Sequence, residues 1–183
     1  MKGLKIELEE DLYKYIMFLE KMKFIQNKEQ AVTKALKFFK KLSIHQWLPE
    51  VYRIEGNRII LMETGVLLGI FEFLTESEIY RLGHMTALKR KVLTPEFRDI
   101  DLVNKDNWMI VLKGLENLGW GVFSVVGNEI NVKYNALPNT YLRGYLETMF
   151  NVEIEEHRTK VDGTTVFIAG KIERARAIPQ TSS

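Results

Sequence analysis

The chain contains no cysteine, which excludes a disulfide framework, a thiolate nucleophile and any Cys-ligated zinc or iron–sulfur centre. Histidine is nearly as scarce. His45, His84 and His157 lie far apart, form no His-x-x-x-His pair and have no carboxylate at helical metal-ligand spacing, so no metal site is expected. No apolar run approaches the roughly 18 residues that cross a bilayer. The longest, residues 65–71, stops at Glu72, and the N-terminus lacks the charged-then-apolar layout of a signal peptide. Gly83, Gly119 and Gly121 do not form a phosphate loop, and the carboxylates show no isolated pair suited to acid/base work. These absences predict a cytoplasmic protein with no catalytic residues and no cofactor, and no membrane among its partners.

What remains has a globular composition, with 46% hydrophobic and 27% charged residues over 183 positions, enough for one ordinary domain or two small ones. The net charge of +2 is unevenly placed. Residues 1–42 hold ten Lys against six Asp and Glu, a balance of +4, and the remainder holds sixteen basic against eighteen acidic residues, a balance of −2. A basic head on a near-neutral body fits that distribution. Lysines on solvated helix faces would also produce it.

The head changes period within a few residues. Leu4, Ile6 and Leu8 alternate with Gly3, Lys5 and Glu7, the period of a short strand with one apolar face. From Leu12 the apolar positions step by three and four through Tyr15, Ile16, Leu19 and Met22, a helical stripe whose first turn is acidic. Asn27 is suited to cap a second helix with the apolar face Ala31, Val32, Ala35, Leu36, Phe39 and Leu42. One strand and two helices in some forty residues leave both strand edges unpaired and too little core. Two copies solve both problems, with the strands forming an antiparallel ribbon whose outer face is free for a DNA major groove.

Residues 2–42 resemble the ribbon-helix-helix family through Leu-Lys-Ile-Glu-Leu-Glu-Glu-Asp-Leu at 4–12 and Asn-Lys-Glu-Gln-Ala-Val-Thr-Lys-Ala-Leu at 27–36. The resemblance implies a homodimer that binds double-stranded DNA. Gly3, Lys5 and Glu7 would face the bases, and the backbone and cap around Asn27 and Lys28 would grip a phosphate. Two departures matter. Glu7 stands where many members carry Arg or Lys, and Gly3 offers no side chain, so base reading would rest largely on Lys5.

After a linker at 44–50, three hairpins alternate with helices. The hairpins are expected at 51–62 and at 122–134, each around Gly-Asn, and at 152–171 around Asp162-Gly163. Helices are expected at 65–73, from the capping box Thr75–Glu78 to about Val92, after the cap Asn104, and at 139–150. The predicted fold class is α+β, with an antiparallel sheet packed on helices. The domains are a ribbon-helix-helix head at 1–43, a body at 51–173 and a disordered tail at 174–183.

The body resembles the 4-vinyl reductase domain family, a small-molecule-binding fold related to a subunit class of vesicle-tethering complexes. Tyr80-Arg81-Leu82-Gly83, Leu118-Gly119-Trp120-Gly121-Val122-Phe123 and Tyr141-Leu142-Arg143-Gly144-Tyr145-Leu146-Glu147 carry the likeness, together with the order of elements. Cysteines that many members carry before the last strand are missing. Aromatics and methionines of the body read first as core. A pocket for a small apolar or aromatic ligand, if present, would draw on Tyr80, His84, Met85 and Trp120. The combined expectation is a dimeric DNA-binding transcriptional regulator whose body senses such a ligand. The alternative is a dimeric interaction or architectural protein that uses the head only as a clamp.

Overall fold

Two helices open the chain in a computed structural model, which describes residues 5–42, 44–48, 51–54, 57–158 and 163–170. Helix α1 spans Glu10–Lys21 and α2 spans Lys28–Lys41. The first ends in a Schellman motif. Lys23 adopts a left-handed φ of 59°, its N–H reaches the Glu20 carbonyl at 3.0 Å, and the Phe24 N–H reaches Leu19 at 2.9 Å. Asn27 caps α2 as its side chain predicts, with Oδ1 accepting the Gln30 N–H at 2.9 Å. The Gln30 Oε1 in turn accepts the Gln26 N–H at 2.8 Å.

The chain folds as two compact units that divide between Leu61 and Met62. The hairpin of β1 (Tyr52–Ile54) and β2 (Asn57–Ile59) therefore belongs with the head, where a linker at 44–50 and a body from residue 51 were expected. Trp47 is the physical reason. Its indole N–H donates to the Arg53 carbonyl at 2.7 Å and to Leu42 at 3.2 Å, and its ring packs on Tyr52 with centroids 4.6 Å apart. The hairpin forms a two-stranded sheet of its own, so it does not join the main sheet.

In the second unit, α3 (Thr64–Phe71), α4 (Glu76–Leu93), α5 (Trp108–Asn117) and α6 (Asn139–Phe150) accompany four strands. These are β3 (Val122–Val126), β4 (Glu129–Lys133), β5 (Ile154–Arg158) and β6 (Thr164–Ala169), in the antiparallel order β3-β4-β6-β5. The Gly-Asn signal makes the two-residue turn between β3 and β4, with Gly127 at φ 62° and Val126 opposite Glu129. Thr75 and Glu78 form the complete capping box of α4.

The sheet buries Phe123, Ile130, Val132 and Phe167 on one face. Its other face exposes Val122, Ser124, Val126, Glu129 and Lys133, so the helices pack on one side only. Helix α6 is the centre of the unit, burying Tyr141, Leu142, Tyr145, Leu146, Met149 and Phe150 around most of its circumference. Trp108 stacks on Phe150 with centroids 4.6 Å apart. Helix α4 crosses α6 at two glycines. A Cβ on Gly83 would lie 2.1 Å from the Tyr141 carbonyl oxygen, and one on Gly144 would lie 2.3 Å from that of Tyr80. The protein is thus a mixed α+β chain with small antiparallel sheets.

Candidate nucleic-acid interface

Residues 5–9 of the head carry no regular secondary structure in a single copy. A strand is defined by its ladder, and one copy supplies no second strand to pair with. Lys5 and Glu7 are exposed, as are Ile6 and Leu8, which alternate with them. Gly3 and Leu4 lie outside the described residues.

Among the described residues neither α1 nor α2 has a buried side chain. Twelve large apolar side chains between Ile6 and Phe39 are exposed, including Leu12, Tyr15 and Met22 on the stripe of α1 and Leu36 and Phe39 on that of α2. In the whole first unit only Ile25 and Ile54 are buried among the described residues. Scattered exposed apolar residues are ordinary, but two helical stripes left open together are not.

The start of α2 holds the candidate phosphate grip. The Asn27 oxygen is committed to the Gln30 amide, and the amides of Lys28 and Glu29 meet no protein acceptor among the described residues. The Lys28 ammonium donates to the Tyr13 hydroxyl at 3.2 Å and stands 5.0 Å from that ring's centroid. This hydrogen bond holds the Lys28 pKa above its ordinary value. Tyr13 therefore positions a basic group beside the helix N-terminus. It lies off the apolar stripe of α1 and pairs with a residue on another helix, so no local pattern marks it.

Three of the four residues expected around a ligand in the body are engaged by neighbouring side chains. The Tyr80 hydroxyl donates to Glu147 Oε2 at 2.5 Å, while Glu147 Oε1 accepts the Ile154 N–H at 2.9 Å and Arg143 lies over the Tyr80 ring. That hydrogen bond, with burial second, pushes the Tyr80 pKa up to about 12. His84 Nδ1 lies 2.7 Å from Thr148 Oγ1. The Thr148 hydroxyl donates to the Gly144 carbonyl at 2.7 Å, so Nδ1 carries the proton between them. Met85 is exposed, and Trp120 packs edge-on against Tyr141 and Tyr145. A surface cavity of about 490 Å³ includes Tyr80 but none of the other three, and Glu147, Glu153 and Glu155 line it. Its carboxylates suit an apolar ligand poorly. Glu147, visible in the Tyr-Leu-Arg-Gly-Tyr-Leu-Glu stretch, was given no role by sequence reasoning.

No protein-family model matches the chain, and no curated protein matches it.

Proposed function

We propose that the protein is a dimeric DNA-binding transcriptional regulator whose head is a ribbon-helix-helix. In this arrangement two copies pair through residues 4–8 and the open stripes of α1 and α2. The observation that carries the reading is the exposure of both helical stripes in a head that buries almost no side chain of its own. A second copy covers those stripes and satisfies the strand edges in one step. The pleat that turns Ile6 and Leu8 inward turns Lys5 and Glu7 outward, toward the major groove. The α2 amides, the Asn27 side chain and the Tyr13-held Lys28 would meet a phosphate on the flank.

Ligand sensing forms no part of the proposal, because Tyr80, His84 and Trp120 are engaged by neighbouring side chains and Met85 is exposed. One feature favours the clamp alternative. Glu7 stands beside Lys5, and Glu9, Glu10 and Asp11 follow, so the outer face of the ribbon is poorer in positive charge than the rest of the head.

Fluorescence anisotropy with the gene's own upstream DNA separates the two readings. The DNA reading expects saturable binding whose log affinity falls with log salt by about 0.9 per neutralised phosphate. Lys5→Ala should reduce preference for the site, and Lys28→Ala should weaken all sequences alike. Unchanged affinity in both variants would rule out this DNA-binding surface and leave the clamp.

A further inference from the structure

We infer that the Tyr13 hydroxyl is itself a phosphate donor, so that α1 and α2 of one head hold the same DNA phosphate between them. This rests on the DNA reading above and adds a residue to its phosphate grip.

Tyr13 and Lys28 lie on different helices, yet the Lys28 ammonium donates to the Tyr13 oxygen at 3.2 Å. The direction of that bond decides what the hydroxyl has left. An ammonium carries donors only, so the phenol oxygen must accept, and its own hydrogen stays available. Among the described residues no acceptor takes that hydrogen. Accepting from a cation also makes the hydroxyl a stronger donor, because each hydrogen bond polarises the next.

The ammonium uses one of its three hydrogens on Tyr13 and keeps the others. Glu20 and Glu29 stand close enough to raise the Lys28 pKa further, after Tyr13 itself. Neither carboxylate forms an ion pair with it among the described residues.

The groups beside this pair are of the same kind. Lys28 is the first residue of α2, and its amide and that of Glu29 meet no protein acceptor among the described residues. The Asn27 oxygen does not fill the gap, since it is committed to the Gln30 amide. One hydroxyl, one ammonium and two amides are thus donors without acceptors. The non-bridging oxygens of a phosphodiester are acceptors without donors, and they carry the charge that an ammonium and a helix start both favour. Tyr13 is exposed and lies off the apolar stripe of α1, so pairing of two heads leaves its hydroxyl open.

A double-mutant cycle read by fluorescence anisotropy tests this on the gene's own upstream DNA at several salt concentrations. The parent is compared with Tyr13→Phe, Lys28→Ala and the double variant. Phenylalanine keeps the ring and removes only the hydroxyl. Tyr13→Phe should weaken binding to all sequences about tenfold. It should leave the slope of log affinity against log salt unchanged, because no charge is lost. Lys28→Ala should reduce that slope by about 0.9 for each copy. In the Lys28→Ala background, removing the hydroxyl should still weaken binding several-fold, because a direct bond to phosphate does not pass through Lys28. No further loss in the double variant would show that Tyr13 only positions Lys28, and would overturn the inference. Parent affinity in Tyr13→Phe, with Lys28→Ala weakened, would overturn it too and leave the DNA reading standing. A parent protein that binds no DNA would remove both.

Discussion

Replacing Gly83 with alanine adds one methyl group where α4 meets α6. The new Cβ would stand 2.1 Å from the Tyr141 carbonyl oxygen, 3.0 Å from its carbon and 3.1 Å from the Tyr145 nitrogen, all backbone atoms of a buried helix. An ordinary carbon–oxygen contact is about 3.3 Å, so the helices must part by roughly 1.2 Å. Gaps of that size forfeit about a quarter to a half of each dispersion contact along the crossing. Alanine returns about 1 kcal/mol of helix propensity. Overpacking of this kind costs about 1–3 kcal/mol and more where backbone must move, so a net loss near 3 kcal/mol is expected. In a body of this size, that lowers its melting temperature by roughly 10 °C or more. Chemical denaturation of the full chain, followed at Trp108 and Trp120, measures it. Gly114→Ala is the control. Its Cβ would meet only the end of the Arg90 side chain and no backbone, so any loss of the Arg90 contacts with Tyr145 and Phe97 is offset by about 1 kcal/mol of helix propensity and the change should cost far less than Gly83→Ala. A Gly83→Ala protein as stable as the parent would show that the α4–α6 crossing is not close-packed and would refute the reasoning.

Lys23→Gly should stabilise the head by about 1 kcal/mol, because Lys23 holds a left-handed φ that glycine adopts without strain; slower hydrogen exchange at the end of α1 would register it, and faster exchange would contradict it. Tyr80→Phe should cost about 1 kcal/mol at neutral pH, after discounting for solvent screening. The Tyr80 pKa is raised to about 12, so its contribution is complete below the ordinary value near 10 and lost as pH climbs through about 12. The parent body should thus lose more stability than the Tyr80→Phe variant between those limits in alkaline unfolding titrations. Asn27→Ala should destabilise the head by about 1 kcal/mol through loss of the α2 cap, read as lower helicity at 222 nm on heating, with Asn27→Ser largely preserving it.

Two stretches singled out in the sequence acquire a physical meaning in the fold. Tyr80-Arg81-Leu82-Gly83 and Tyr141 to Glu147 are the two sides of one helix crossing. Gly83 admits the backbone at Tyr141, Gly144 admits the backbone at Tyr80, and the Tyr80 hydroxyl meets Glu147. Resemblance singled out both stretches, but it did not reveal that they meet. For that reason Tyr80 and His84 read as pocket candidates, although their polar atoms are engaged by Glu147 and Thr148 on α6.

Local chemistry was sufficient wherever cause and effect lie within a few residues. The Asn27 cap, the Thr75–Glu78 capping box and the Gly127-Asn128 turn follow from side chains acting on their own backbone and from a glycine at positive φ. The period of the apolar residues likewise marked the strands of the main sheet and the faces of the helices. Distant partners were decided by packing. The placement of β6 between β4 and β5, the assignment of the first hairpin to the head through Trp47, and the Tyr13–Lys28 contact each join residues that no short window contains. Burial divides the same way: a sequence shows which stripes are apolar, but only the folded chain shows that α6 has its apolar surface covered while α1, α2 and α3 do not. Hydrophobic pattern depends on the residue, and coverage depends on what the rest of the chain brings to it.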